Sequence, residues 1–184
     1  MTKRRLFIAI NLPENTKKKL FDYQLKWPDF DPKQIRWTRK DNLHITLIFI
    51  GYVTDDEMYK ICNLVKDVAK KHQPFFVNLE RIILGPPDKT PRMFWVQGKK
   101  SQELANIQTD LRDAIEQRSG VKYNAFRPHI NLAKFKPLFM KTFPNDFEEV
   151  FKHQISVETI EVMQSELRRG GAEYTVLESM ELGE

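Results

Sequence analysis

Short apolar segments separated by turn residues follow one another along most of the chain. Many of these segments are rich in β-branched and aromatic residues, which is typical of β-strands. We predict seven strands, at residues 6–11, 44–50, 75–84, 93–97, 129–135, 155–164 and 174–180. The first of them follows a basic N-terminal segment, but its apolar run is too short for a signal peptide.

Apolar residues at helical spacing lie between several of these strands. Pro13 can open a first helix, and Thr54 with Glu57 fits a capping box at the start of a second. The stripe from Leu104 to Ile115 indicates a third helix, which we expect to end near Gly120. We predict helices at residues 13–27, 54–71 and 102–118, with a short fourth at 146–151.

The order of these elements predicts an α+β fold rather than a doubly wound parallel sheet. No glycine-rich phosphate loop follows a strand, and the whole chain has seven glycines. A coarse internal repeat is visible, because the strands at 44–50 and 129–135 each carry a histidine and each have a helix beside them in sequence. The loop at 85–92 is too short to separate independent domains, so we expect one domain over residues 1–184.

Composition adds little to this picture except for charge and cysteine. The 184 residues are 41% hydrophobic and 30% charged, which is ordinary for a soluble globular protein, and no run is long enough to span a membrane. The one cysteine, Cys62, lies at a helical core spacing, so we expect a buried thiol and a reducing, cytoplasmic location. The net charge of +5 favours a polyanionic partner, although many basic proteins bind no nucleic acid.

Two strands combine an apolar face with polar chemistry on the other face. In "NLHITLIFIG", alternation turns His44 and Thr46 one way and sends Ile45, Leu47 and Phe49 into the core. In "FRPHINLAKF", His129 and Asn131 likewise share a face, and Ile130 and Leu132 oppose them. Two imidazoles near one phosphate can act as a general acid and a general base, and short donors beside them can stabilise the developing charge.

Other interpretations of these histidines remain open from the spacing alone. A histidine in a strand is more often a hydrogen-bonded structural residue than a catalyst. His72 and His153 illustrate that case, since one ends a helix and the other starts a strand. A metal site is a weaker competitor, because the chain has no CxxC, no HExxH and no close cluster of histidines and carboxylates.

The two motifs, taken in order with their surroundings, resemble the 2H phosphoesterase superfamily. The most similar branch is that of the RNA 2′,3′-cyclic phosphodiesterases, also described as 2′-5′ RNA ligase-like. The resemblance covers nearly the whole chain. It rests on "RLFIAINLP", "RWTRKDNLHITLIFIG", "PRMFWVQ", "FRPHINLAKF" and a tail that contains Ser165, Gly170, Gly171 and Tyr174.

This resemblance implies both a fold and a mechanism. The fold would have two pseudo-symmetric lobes of antiparallel sheet, with helices outside and the active-site cleft between them. His44 would be the general acid for the leaving 3′ oxygen, His129 the general base that activates water, and Thr46 a phosphate ligand. The substrates would be RNA 3′ ends with a 2′,3′-cyclic phosphate, such as those of tRNA halves, and the product a 2′-phosphomonoester. We therefore expect a monomeric hydrolase of RNA processing that has no metal, no other cofactor and no membrane partner.

Two residues depart from the family pattern. Asn131 stands where the second motif usually has Thr or Ser, and Lys134 stands where this branch often has Arg. Asparagine can still donate to phosphate through its amide. Lysine keeps the charge but loses bidentate binding, and strict alternation places Lys134 opposite His129, so it needs a local bulge to reach the cleft. Arg127, beside the motif, is a further candidate phosphate contact.

RNA also gives the aromatic residues near the motifs a possible role in stacking. Our candidate is Phe7, because it shares a strand face with Ala9 and opposes the aliphatic residues around it. Two alternatives remain beside the leading hypothesis. One is a 2H phosphodiesterase acting on small nucleotides, such as 2′-5′ oligonucleotides or a cyclic ADP-ribose phosphate. The other, suggested by Asn131, is a non-catalytic module that binds RNA ends.

Overall fold

A computed structural model describes residues 3–27, 33–119, 126–136, 143–144, 146–169 and 171–184 of the chain. Strands and three helices alternate through most of these residues. In chain order the elements are β1 (Arg4–Asn11), α1 (Glu14–Gln24), β2 (Ile35–Trp37), β3 (His44–Val53), α2 (Asp55–Ala69), β4 (Phe75–Gly85), β5 (Met93–Gly98), α3 (Gln102–Ser119), β6 (His129–Phe135), β7 (Glu148–Val157), β8 (Thr159–Arg168) and β9 (Gly171–Glu181).

All strand pairs are antiparallel, and they form one sheet in the order β7-β4-β5-β6-β3-β1-β8-β9, with β2 paired to β6. This confirms the predicted α+β class. The sheet is narrowly joined at its centre, because β3 and β6 pair through one pair of residues, Ile45 and Ile130. We call β9-β8-β1-β3 the terminal half and β6-β5-β4-β7 the central half. The two histidine strands are thus the neighbouring inner strands of the two halves.

The helices bury the apolar residues of both histidine strands. Ile45 and Ile130 are fully buried, in one continuous core with Val65 of α2 and Leu111 of α3. Burying aliphatic side chains of this kind stabilises the fold by about 1.5–3 kcal/mol each relative to leaving them exposed. The core therefore fixes which face of each histidine strand remains open, and that open face carries the imidazoles.

Several boundaries differ from the predictions. The short fourth helix is wrong, because β7 begins at Glu148 and its side chains alternate in burial, as a strand's do. The predicted strand at 155–164 is two strands separated by Glu158, and the three-residue β2 was not predicted. The predicted helix end near Gly120 lies outside the described residues.

The beginning of α2 confirms the capping box. The backbone N–H of Glu57 donates to Thr54 Oγ1 at 3.3 Å, and the backbone N–H of Thr54 donates to Glu57 Oε2 at 2.7 Å. Such a cap contributes about 1 kcal/mol to stability. Cys62 is buried on the same helix, as predicted. None of the helices in the described ranges has the length and apolarity needed to cross a membrane.

Candidate active site

A β-bulge in β3 changes which side chains share a face. The register between β1 and β3 shifts between Thr46 and Ile48, so Leu47 is an extra residue on β3. Leu47 and Ile48 are consequently both buried, and Phe49 returns to the face of His44. The prediction that Phe49 lies in the core is wrong, since its side chain is 61% exposed.

The second histidine strand carries the equivalent bulge. Along β6, the register with β5 shifts between Asn131 and Ala133, which makes Leu132 the extra residue. Leu132 and Ala133 are both buried, and Lys134 lies on the same face as His129. Strict alternation would place Lys134 on the face opposite His129. The bulge brings its side chain to the cleft instead. The two strands match residue for residue, and Phe49 occupies in β3 the position of Lys134 in β6.

One cleft of about 320 Å³ brings the predicted residues of both motifs together. His44 and Thr46 line it from β3, and His129 and Asn131 line it from β6. The pairing of Ile45 with Ile130 sets these residues side by side across the junction of the two halves of the sheet. Arg36 and Lys134 add positive charge to the same cleft, which sequence reasoning had anticipated only for Lys134.

Both imidazoles are oriented by the same backbone contact. His44 Nδ1 lies 2.7 Å from the carbonyl oxygen of Asn42, and His129 Nδ1 lies 2.8 Å from that of Arg127. A carbonyl oxygen can only accept, so each Nδ1 carries a hydrogen and donates it. The neutral form of each ring therefore has its lone pair on Nε2, which is the atom that can take up or release a proton.

Thr46 completes a short hydrogen-bonded pair with the first histidine. His44 Nε2 lies 2.8 Å from Thr46 Oγ1. When His44 is neutral, the hydroxyl donates to the imidazole. When His44 is protonated, the imidazole donates instead and the hydroxyl hydrogen becomes available to another acceptor. Protonation of His44 thus prepares a donor at Thr46 for an oxygen bound in the cleft.

Aromatic side chains support both imidazoles. The ring of Phe7 lies 5.0 Å from that of His44, and Tyr174 contacts the same imidazole edge-on at 5.2 Å. Phe7 is 1% exposed, so its ring has no free face for an RNA base, and the structure gives it a supporting position beneath His44. Trp95 stacks on His129 with ring centroids 3.9 Å apart and an interplanar angle of 24°.

The environment disfavours a charged imidazole in the ligand-free cleft. Burial is the main cause that lowers the pKa of His44 to about 4; the nearby His129 and Lys17 act in the same direction, and the hydrogen bond to Asn42 opposes them. Burial also lowers the pKa of His129, against its hydrogen bond to Arg127. Both rings are therefore mainly neutral at pH 7. A bound phosphate would reverse this effect, because a nearby negative charge favours the protonated form.

Several cations lie close together in and next to the cleft. The pKa of Lys134 is lowered by partial burial and by the charges of Arg36, Arg5 and Arg92. Within the described ranges, no carboxylate forms an ion pair with Arg5, Arg36 or Lys134. Like charges held together in this way are stabilised by a bound anion.

Of the two other predicted phosphate contacts, Asn131 lines the cleft and the Arg127 side chain does not. The Arg127 guanidinium lies 3.6 Å from Asp88 and does not line the cleft, so its contact with the site is through its carbonyl and His129. Asn131 Oδ1 is buried and finds no hydrogen-bond partner among the residues described. Since the oxygen and nitrogen of an amide exchange places when it is turned over, this side chain can offer either an acceptor or a donor to a ligand.

No group of three or more His, Cys, Asp or Glu side chains in the described part of the chain is arranged to hold a metal ion. The polar groups that line the cleft include the imidazoles, hydroxyl and amide side chains and cations, and no carboxylate is among its lining residues. Such a set can bind an anion and exchange protons with it.

Gly85 lets Trp95 take its place beneath His129. A Cβ at residue 85 would lie 2.3 Å from Trp95 Cδ2, well inside van der Waals contact. We expect Gly85→Ala to displace the indole, to cost about 1–3 kcal/mol of unfolding free energy, and to impair a reaction that uses His129. Urea denaturation and kinetics measure the two effects.

Gly98→Ala is the matched control for Gly85→Ala. Its added Cβ would meet neighbours at 3.4 Å, which is ordinary contact. Equal behaviour of the two variants would show that the close approach of Gly85 to Trp95 is unimportant.

Comparison with known proteins gives a consistent family and fold. The family model described as LigT like Phosphoesterase matches residues 10–95, which include the first histidine motif. An RNA 2′,3′-cyclic phosphodiesterase of Methanocaldococcus jannaschii is 28% identical over 177 residues, covering 94% of this chain and 98% of that protein. Another of that name, from Thermus thermophilus, is 29% identical, covering 97% of this chain and 90% of the relative.

Two solved structures share the fold of this chain. The crystal structure of the Thermus thermophilus protein TT0787 has a TM-score of 0.85 at 28% identity, covering 97% of this chain and 98% of that one. The apo form of E. coli LigT has a TM-score of 0.77 at 25% identity, with full coverage of both chains. The comparisons confirm the resemblance drawn from the motifs.

Proposed function

We propose that this chain is a LigT-like phosphoesterase that hydrolyses 2′,3′-cyclic phosphates at RNA ends to 2′-phosphomonoesters. The observation that carries the proposal is the shared cleft, which is lined by two imidazoles whose Nδ1 atoms are both fixed by backbone carbonyls. Related proteins named RNA 2′,3′-cyclic phosphodiesterases support the choice of substrate. Since each half of the sheet contributes one histidine to the cleft, we treat residues 1–184 as a single bilobal domain.

The proposed reaction moves two protons and exchanges one bond at phosphorus. His129 Nε2 removes a proton from water, and the water oxygen attacks the cyclic phosphate. The bond between phosphorus and the 3′ oxygen breaks as His44 Nε2 gives that oxygen a proton. The products are a 2′-phosphate and a free 3′-hydroxyl. One histidine begins protonated and the other ends protonated, so proton exchange with solvent restores the starting state.

The surrounding groups stabilise the charge on the phosphoryl oxygens. The cyclic phosphate is an anion, and its negative charge becomes more concentrated on the non-bridging oxygens as water adds. Thr46 can donate its hydroxyl once His44 is protonated, and Arg36 and Lys134 supply positive charge from the wall of the cleft. Fixed donors and charges of this kind lower the barrier because they need little reorganisation.

Hydrolysis is expected to persist in excess EDTA, because proton transfer by histidines and charge stabilisation by Arg36 and Lys134 require no divalent ion. The assay uses an oligoribonucleotide with a 2′,3′-cyclic end and identifies the product by ³¹P NMR. We expect a 2′-phosphate. Loss of activity that a divalent ion restores would overturn the mechanism, and a 3′-phosphate product would reverse the direction of ring opening.

The pH profile of kcat/KM should be shifted towards acidic pH. The reaction requires one neutral and one protonated imidazole, and the pKa values of both are lowered in the free enzyme. The protonated fraction therefore falls as the pH rises. We expect a bell-shaped profile of kcat/KM that decreases about tenfold per pH unit above the higher of the two pKa values. A profile that rises through pH 8 would contradict this assignment.

A further inference from the structure

A second cavity of about 240 Å³ continues from the cleft. Arg5, Arg168 and Arg169 line it, and it shares Arg36 and Lys134 with the cleft. It is bounded by the beginning of β1 and the end of the β8–β9 hairpin. The two shared cations therefore lie between the histidines and a second region of positive charge.

The cations of the second cavity are not equivalent. Arg168 is already paired, at 2.9 Å from both Glu166 and Glu173. Arg5 and Arg36 have no such partner among the residues that the structure describes. The charge available to a ligand thus comes from Arg5, Arg169 and the two shared cations. Arg5 and Arg36 are close enough to Lys134 to lower its pKa. One phosphate at the histidines would not pair with Arg5, which does not line the cleft and has no carboxylate partner in the described part of the chain.

An exposed aromatic ring lies at the junction of the two cavities. Phe49 lines both of them and is 61% exposed. One side of its ring packs against Phe7 at 5.9 Å, and the bulge in β3 keeps it on the cleft face. An exposed aromatic ring between cationic regions is the arrangement on which single-stranded nucleic acids stack a base.

We propose that the second cavity binds the phosphodiester on the 5′ side of the terminal nucleotide, with Phe49 contacting the nucleoside between the two phosphates. This rests on the proposed function, in which the cyclic phosphate occupies the cleft beside His44 and His129. The preferred substrates are then oligoribonucleotides with a cyclic end rather than cyclic mononucleotides. The phosphodiester would interact with Arg5 through charge-assisted hydrogen bonds, which an uncharged 5′-hydroxyl cannot replace.

The test compares two ligands that differ only in the flanking phosphodiester. Adenosine 2′-phosphate, the product analogue, is titrated calorimetrically with and without a 5′-methyl phosphate. We expect the 5′-methyl phosphate to tighten binding at least about tenfold, the effect of a charged hydrogen bond. Arg5→Gln should remove most of this advantage and Arg5→Lys should retain part of it. Lys18→Gln, which removes an exposed helix charge outside both cavities, should leave it unchanged.

Turnover of the corresponding 2′,3′-cyclic phosphates separates this inference from the proposed function. If turnover is absent but the 5′-methyl phosphate still tightens binding through Arg5, the proposed function fails and the second phosphate site stands. If turnover occurs but the two ligands bind equally, or Arg5→Gln behaves like Lys18→Gln, the inference is overturned.

Discussion

Replacing either His44 or His129 with alanine is expected to lower kcat/KM for a cyclic-phosphate RNA end about 10²–10⁴-fold. Each change removes a ring whose Nδ1 is held by a carbonyl oxygen and whose Nε2 exchanges a proton in the proposed reaction. The double variant should be little worse than the worse single variant, because an acid and a base that act in one step do not contribute additively.

Both alanine variants should fold as the natural protein does. The imidazoles lie on the face opposite the buried Ile45 and Ile130, so the core keeps its packing. Thermal denaturation followed by circular dichroism checks this. His153→Ala is the matched control, since His153 contacts Thr16 and Lys19 and lines neither cavity. A His44 or His129 variant that retains nearly full activity would assign that histidine a structural role only.

Asn131→Ala should lower kcat/KM about 10–150-fold. A hydrogen bond to a charged group contributes about 1.5–3 kcal/mol, and losing it in the transition state slows the reaction by that factor. The structure strengthens this expectation, because Asn131 lines the cleft and its buried amide oxygen has no hydrogen-bond partner among the described residues. Asn131→Leu should be worse than alanine, because it fills the same space with apolar bulk.

Asn131→Thr distinguishes between the functional alternatives. It introduces the residue more usual at this position and should be active at or above the level of the natural protein. If alanine, leucine and the natural residue give the same kcat/KM, Asn131 does not contact the phosphate. If the natural protein is inert and Asn131→Thr activates it, the chain is better described as a module that binds RNA ends.

Strand periodicity was enough to predict the main side chains of the cleft. It placed His44 with Thr46 and His129 with Asn131, and the structure brings these four side chains to one cleft. The same rule failed at Phe49, because one extra residue in a strand reverses every later side chain. The equivalent bulge in β6 brings Lys134 into the cleft. A bulge depends on the partner strand, so the sequence of one strand does not reveal it.

The residues missed by sequence reasoning come from neighbouring strands. Trp95 supports His129 because β5 pairs with β6, and Arg36 reaches the cleft because the short β2 pairs with β6 as well. These pairings are set by tertiary structure and leave no local periodicity. The predicted helix at 146–151 failed for a similar reason, since β7 is stabilised by pairing with β4.

The two halves of the sheet are assembled from the chain in different ways. The strands of the central half, β4 to β7, follow one another in sequence. The terminal half joins β1 and β3 to β8 and β9, and its pairing of Leu6 with Gln164 connects opposite ends of the chain. Closing so long a loop costs more entropy and slows folding more than pairing strands that are near in sequence.

During refolding, the central half can therefore form first, with His129 already on a paired strand. The strand that carries His44 obtains its complete support only when β8 reaches β1, late in folding and, on a ribosome, near the end of synthesis. Catalytic activity should consequently return with the slowest refolding phase, after most of the helical circular dichroism signal has recovered.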